Sequence, residues 1–103
     1  MKTYTGSRTI DGIRVLVDGK PLDERYELKK FTKNGFEWTY EGAEPSQLAL
    51  ALLADHLGDG AKALELCAPF MRKVIANLEN DWAMTSENIG EALEEILTTK
   101  AEQ

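Results

Sequence analysis

The chain has one cysteine, Cys67, and one histidine, His56, among 103 residues. A disulfide framework within the chain is therefore excluded, as is a zinc site built from the Cys and His side chains of one copy. No apolar run approaches the roughly 20 residues that a membrane-spanning helix needs. Positive charge is scarce, with 12 Lys and Arg against 18 Asp and Glu and a formal net charge of -6. That excess argues against broad binding to nucleic acid or to an anionic membrane, and neither contact is expected. The first five residues, Met1-Lys2-Thr3-Tyr4-Thr5, carry a charge with no apolar segment behind it, so they are not expected to form a signal peptide. Dinucleotide-binding, P-loop, nucleophile-elbow and zinc signatures are all missing. No catalytic residue, cofactor or metal ligand is assigned from the sequence.

What is there suits a globular chain. Apolar residues make up 43% and charged residues 29%, and the length fits one domain over 1–103. Residues 1–41 are expected to be mainly β, residues 45–97 mainly α, and residues 98–103 a frayed tail. The charge is divided unevenly between these parts. Residues 1–40 hold eight cationic side chains against six acids, whereas residues 41–103 hold four against twelve.

Ile13, Val15 and Val17 alternate with Arg14, Leu16 and Asp18, the period of a half-buried strand. Asp11-Gly12 before them predicts a hairpin turn pairing Ile10 with Ile13, which sets Tyr4 on the face of Val15 and Val17. Asp18-Gly19-Lys20-Pro21 predicts a second turn. Further strands are expected over 24–30, where Tyr26 and Leu28 alternate with charges, and over 36–40, after Asn34-Gly35. Phe36, Trp38 and Tyr40 share a face only with period two.

Beyond Gly42 the period becomes helical. Pro45 fits a first helical turn, Leu48, Ala49, Leu52, Leu53 and Leu57 recur at helical spacing, and Gly58 is the stop. Leu50 and Ala51 widen the apolar stripe, so this helix should be the most buried element. A second helix is expected over 60–78, kinked or split by Pro69. A third, capped by Thr85 or Ser86, carries Ile89, Ala92, Leu93, Ile96 and Leu97 on its inner side. Strands followed by helices give an α+β fold: a small N-terminal antiparallel sheet of three to four strands packed against about three C-terminal helices.

The stretch from Phe36-Glu37-Trp38-Thr39-Tyr40 through Pro45-Ser46-Gln47-Leu48 to Asp55-His56-Leu57 resembles a family of uncharacterised small proteins from bacteriophages, prophages and plasmids. The hallmark of that family reads approximately FEWGYGGSGPAQLALALLADHL. Tyr4-Thr5-Gly6, Leu28, Trp82 and Thr85 agree more loosely. The resemblance implies an accessory protein of a mobile element in a bacterial cytoplasm. Thr39, Glu41, Ala43 and Glu44 stand where the family has small residues, and only Gly42 is kept. Glycines before a helix let backbone amides cradle phosphate, but the carboxylates of Glu41 and Glu44 would repel that anion. The alternative is a tight turn with Glu44 beside the positive end of the helix.

Candidate contacts for a partner or ligand are Trp38, Tyr40, Glu41, Glu44 and Gln47, together with Glu87, Glu91, Glu94 and Glu95 on the last helix. Trp38 and Tyr40 could stack a ligand or form core beneath a helix. Gln47, set among Leu and Ala, caps backbone groups or meets a ligand. Asp55-His56 suggests an acid–base pair, but adjacent helix residues point about 100° apart. Cys67 on an apolar stretch is expected to be buried and inert. The acids of the last helix repel each other at i,i+4, which favours a cationic partner or only a solvated face. The leading expectation is a non-enzymatic protein-binding accessory protein of phage or mobile-element origin, engaging a partner with a basic surface as an antagonist of a host defence or nucleic-acid-handling protein. The alternative is a small-ligand or nucleotide-binding module using residues 36–47.

Overall fold

Two hairpins start the chain. In the computed structural model, which describes residues 1–101, β1 (Thr3–Thr9) pairs with β2 (Gly12–Val17), and β2 with β3 (Lys20–Pro21), all antiparallel. Asp18 and Gly19 join β2 to β3 with φ of 49° and 82°, the two left-handed residues of a primed hairpin turn. The first hairpin turns at Ile10 and Asp11 rather than at Asp11-Gly12, because Thr9 pairs with Gly12 and Arg8 with Ile13. The shift moves the partner by two residues and so preserves the side-chain faces. Tyr4 lies opposite Val17 and Gly6 opposite Val15.

The fold is the expected α+β arrangement, a four-stranded antiparallel sheet with three helices, but two of its strands come from elsewhere. Neither 24–30 nor 36–40 is a strand. In their place stand the two-residue β3 and a strand between the last two helices, β4 (Trp82–Thr85), which pairs with β1 and completes the order β3-β2-β1-β4. In β4, Trp82 and Met84 are buried and Ala83 is exposed, a period-two pattern too short to separate from a helix lead-in. Residues 22–42 form a long irregular segment. Thr39, at φ 81°, turns the chain so that Trp38 enters the core while Tyr40 is 44% exposed. That break is why the alternating aromatics do not make a strand.

The first helix, α1 (Ala43–Leu57), ends at Gly58, which has φ 66° and donates its N–H to the Ala54 carbonyl. Every residue from Gln47 to Ala54 is buried, so α1 is the central rod of the core, apolar nearly all round. Asp59 caps α2 (Gly60–Lys73) by accepting from the Lys62 N–H. The helix runs through Pro69 without splitting and stops at Lys73, followed by a single 3-10 turn over Ile75–Asn77 in place of the expected last helical turn. The third helix, α3 (Ser86–Ala101), starts with a reciprocal cap: Asn88 N–H donates to Thr85 Oγ1 at 3.1 Å and Thr85 N–H to Asn88 Oδ1 at 2.9 Å. Such a box satisfies two otherwise orphaned donors. The expected tail from 98 is helical to Ala101; its last two residues, 102 and 103, lie outside the described residues. Leu97, expected to face inward, is 48% exposed.

One hydrophobic cluster joins sheet and helices, with Tyr4, Trp38, Leu48, Leu50, Leu52, Leu53, Phe70 and Ile75 at its fully buried centre. Trp38 and Trp82 meet edge to face, centroids 5.7 Å apart, an arrangement the ring quadrupoles favour. Trp82 lies across Gly6, where any Cβ would overlap its indole. That close approach accounts for the glycine in Tyr4-Thr5-Gly6. Among the described residues, no helix is long and apolar enough to cross a membrane.

Candidate functional site

The first turn of α1 holds the irregular segment in place. Gln47 is fully buried, and its amide reaches three backbone groups of that segment. Oε1 accepts from the Phe31 N–H at 2.8 Å, and Nε2 donates to the carbonyls of Glu24 at 2.7 Å and Lys29 at 3.0 Å. Both amide hydrogens are thereby used. Gln47 neither caps α1 nor offers a donor to a ligand; it takes up backbone groups of Glu24, Lys29 and Phe31, in and just beyond the stretch 24–30 whose alternation predicts a strand.

Glu44, three residues earlier, ties the next part down. Its carboxylate accepts from Thr32 Oγ1 at 2.8 Å and from the Tyr40 hydroxyl at 3.0 Å, with Asn34 Nδ2 at 3.5 Å. The hydrogen bond from Thr32, Glu44's own backbone N–H and the Tyr40 hydroxyl hold the Glu44 carboxyl below its ordinary pKa. Partial desolvation and the bond to Glu44 raise the Tyr40 phenol. Glu41 is exposed and has no ion pair among the described residues.

No local pattern marks Arg8 in the sequence, yet it is the hub on the other side of Trp38. Its guanidinium lies 4.7 Å from the Trp38 ring centre. It donates to the Glu37 carboxylate, to the Trp38 carbonyl at 3.1 Å and to Asn80 Oδ1 at 2.6 Å. One strand residue thus secures both the aromatic segment and the turn before β4. Trp38 itself is fully buried and belongs to the core rather than to a stacking surface. Its indole N–H, like that of Trp82, has no partner among the described residues.

A second polar network closes the end of α1. Asp55 accepts from the Tyr4 hydroxyl at 2.7 Å and Lys2 Nζ at 3.1 Å, and Arg25 stands 3.9 Å away. Burial pushes the Asp55 carboxyl up, but the bonds from Tyr4 and Lys2 and the charge of Arg25 outweigh it and leave its pKa below the ordinary value. Burial and the bond to Asp55 push the Tyr4 phenol well up. Desolvation lowers the His56 imidazole. Asp55 and His56 do not bond each other, in keeping with their angular separation on the helix. Cys67 is buried, and burial raises its thiol.

On α3, Glu87, Glu91, Glu94 and Glu95 are exposed. Glu95 pairs with Lys73 of α2 at 3.0 Å; Glu87, Glu91 and Glu94 have no ion pair among the described residues. The structure therefore divides the sequence candidates. Trp38, Gln47 and Glu44 are consumed in holding the fold, Tyr40 and Glu41 stay at the surface, and the α3 acids form a separate exposed strip. Among the described residues, no three His, Cys, Asp or Glu side chains converge where a metal ion could sit.

These features define an α+β protein whose long irregular segment is clasped by the first turn of its central helix. The chain belongs to a family of unknown function, DUF6166, whose model matches residues 4–95. The match takes in both anchors of that clasp, the sheet and all but the last turns of α3. No curated protein and no solved structure matches the chain.

Proposed function

We propose that this protein is a non-enzymatic, protein-binding accessory protein of phage or mobile-element origin, acting in the bacterial cytoplasm. Its contact surface is the outer strip of α3, and its partner is a protein with a basic surface, such as a host defence or nucleic-acid-handling protein that it antagonises. The observation that carries this reading is the exposure of Glu87, Glu91 and Glu94, none of which has an ion pair among the described residues; Lys73, the cation beside Glu91 and Glu94, is paired with Glu95. Glu87 and Glu91 are spaced i,i+4, as are Glu91 and Glu95, and such like-charged pairs weaken a helix by a few tenths of a kcal/mol. A cationic partner would relieve that repulsion and be steered in by it, the more so at low salt. The small-ligand alternative over residues 36–47 loses support because Gln47 and Glu44 are already bonded within the fold.

The test is affinity capture from bacterial lysate at low salt, run side by side with a variant carrying Gln at 87, 91, 94 and 95. A partner retained by the native chain, lost by the variant and weakened by salt is the expected result. A partner that ignores both the salt and the four substitutions, or capture no better than background, overturns the proposal.

A further inference from the structure

The open edge of the sheet carries unpaired backbone. Thr9 and Gly12 flank the first two-residue turn, so they form a hydrogen-bonded pair, and the alternation of an antiparallel ladder then points the backbone groups of Ile13, Val15 and Val17 away from β1. Val17 spends its groups on Lys20 of β3, and the Val15 carbonyl accepts from the Leu22 N–H at 3.1 Å. β3 ends there. The N–H and C=O of Ile13 and the N–H of Val15 have no partner among the described residues. Beside them lies a cleft of about 830 Å³ whose apolar walls include Ile13, Val15, Leu22 and Phe36, with Arg14 and Glu24 among its polar residues. Ile13 is 39% exposed and Ile10, at the turn, fully so. A bare strand edge is normally blunted or covered; this one runs alongside a cavity.

We propose that the edge of β2 docks an extended segment of a partner protein, which adds to the sheet beside Ile13 and Val15, puts an apolar side chain into the cleft and sets an acidic residue opposite Arg14. The unpaired groups decide the kind of occupant. A donor and an acceptor on one residue, with a further donor two residues on, match the backbone of another extended chain. Arg14 supplies the charge: it is exposed on the opposite face of β2 from Ile13 and has no anionic partner among the described residues, so a carboxylate across from it forms a favourable cross-strand pair. A second copy of this chain fits less well. Two β2 edges paired about Ile13 would set both Arg14 side chains as diagonal neighbours on one face, and each turn would run into the Leu22 that already occupies the Val15 carbonyl. The site is at the opposite edge of the sheet from β4 and does not rest on the reading of α3.

The probe is a displayed library of random linear peptides selected against the full chain. Enriched peptides are expected to alternate apolar residues with at least one acid, and on binding to slow hydrogen exchange at the Ile13 and Val15 amides. Ile13→Pro removes an edge donor and should weaken the selected peptides by about threefold to tenfold. Should that variant fold poorly, Arg14→Glu, an exposed change, is expected to weaken acid-bearing peptides while leaving the fold intact. The α3 variant with four glutamines should bind them unchanged. No enrichment over an unrelated control, enriched peptides that leave both amides unprotected, or edge protection through self-association of the chain alone would each overturn the proposal.

Discussion

Replacing Gln47 by Met tests the clasp directly, because Met keeps the length and bulk of the side chain and removes only its polar end. Three hydrogen bonds are lost, at 2.7, 2.8 and 3.0 Å, each with a net worth of about 0.5–1.5 kcal/mol. Leaving the Phe31 N–H and the Glu24 and Lys29 carbonyls without partners near a buried side chain adds to the cost. The expected loss is therefore about 2–4 kcal/mol, a large share of the 5–15 kcal/mol typical of a domain. Urea unfolding should show it as a fall in midpoint at constant slope, and native-state hydrogen exchange should show the Phe31 amide losing its protection. Gln47→Glu is the companion change. It keeps an acceptor, removes both donors and faces two carbonyls with a buried charge, so it should destabilise more than Met. A loss under about 0.5 kcal/mol for Gln47→Met, the range of an ordinary surface substitution, together with a protected Phe31 amide, would refute the clasp.

Thr39 holds φ 81°, a region that costs a β-branched residue about 1–2 kcal/mol. Its N–H bond to the Ile75 carbonyl at 3.1 Å survives in glycine. Thr39→Gly should therefore raise stability by up to about 1 kcal/mol after the extra chain entropy of glycine is deducted, and a lower thermal midpoint would show the conformation to be unstrained. Gly6→Ala should cost about 1–3 kcal/mol by driving a methyl into the Trp82 indole; urea unfolding followed by circular dichroism reports the loss, and an unchanged midpoint would show that the indole yields without cost. Acid should weaken the fold in two stages. His56 has a lowered folded pKa, so stability falls as pH drops below its unfolded value of about 6.5. Asp55 and Glu44 also have lowered folded values, so the stability they give is complete above about pH 5 and is lost as pH falls through their folded pKa values. In Asp55→Asn, urea midpoints measured across pH should decline less steeply at the acid end; an unchanged slope would remove Asp55 from this account.

Local chemistry made much of the fold legible. The Ile13-Val15-Val17 alternation, the Asp18-Gly19 turn, the Gly58 stop and the Thr85 cap each depend on residues within a few positions of one another, so β2, the C-terminal end of α1 and the start of α3 follow from neighbouring residues alone. The apolar run from Leu48 to Ala54 likewise determined that α1 would be the core, because it leaves almost no face for water. The phases of Tyr4, Val15 and Val17 also survived a two-residue shift of the turn, since strand faces repeat every second residue. Tertiary structure decided the rest. Trp82 and Met84 become strand only because β1, far away in the chain, offers them an edge. Residues 24–30 and 36–40 alternate as strands do, yet one amide on α1 takes the Glu24 and Lys29 carbonyls of the first, and a left-handed Thr39 turns the second. The same partners decided which candidate residues remain available: Gln47 and Trp38 were absorbed by neighbours that no local pattern names, whereas Glu87, Glu91 and Glu94 stayed exposed because α3 already had its apolar side against the core. Short-range preferences are written into neighbouring residues. Which distant group satisfies a buried amide, or fills the space beside a glycine, is settled only when the chain closes on itself.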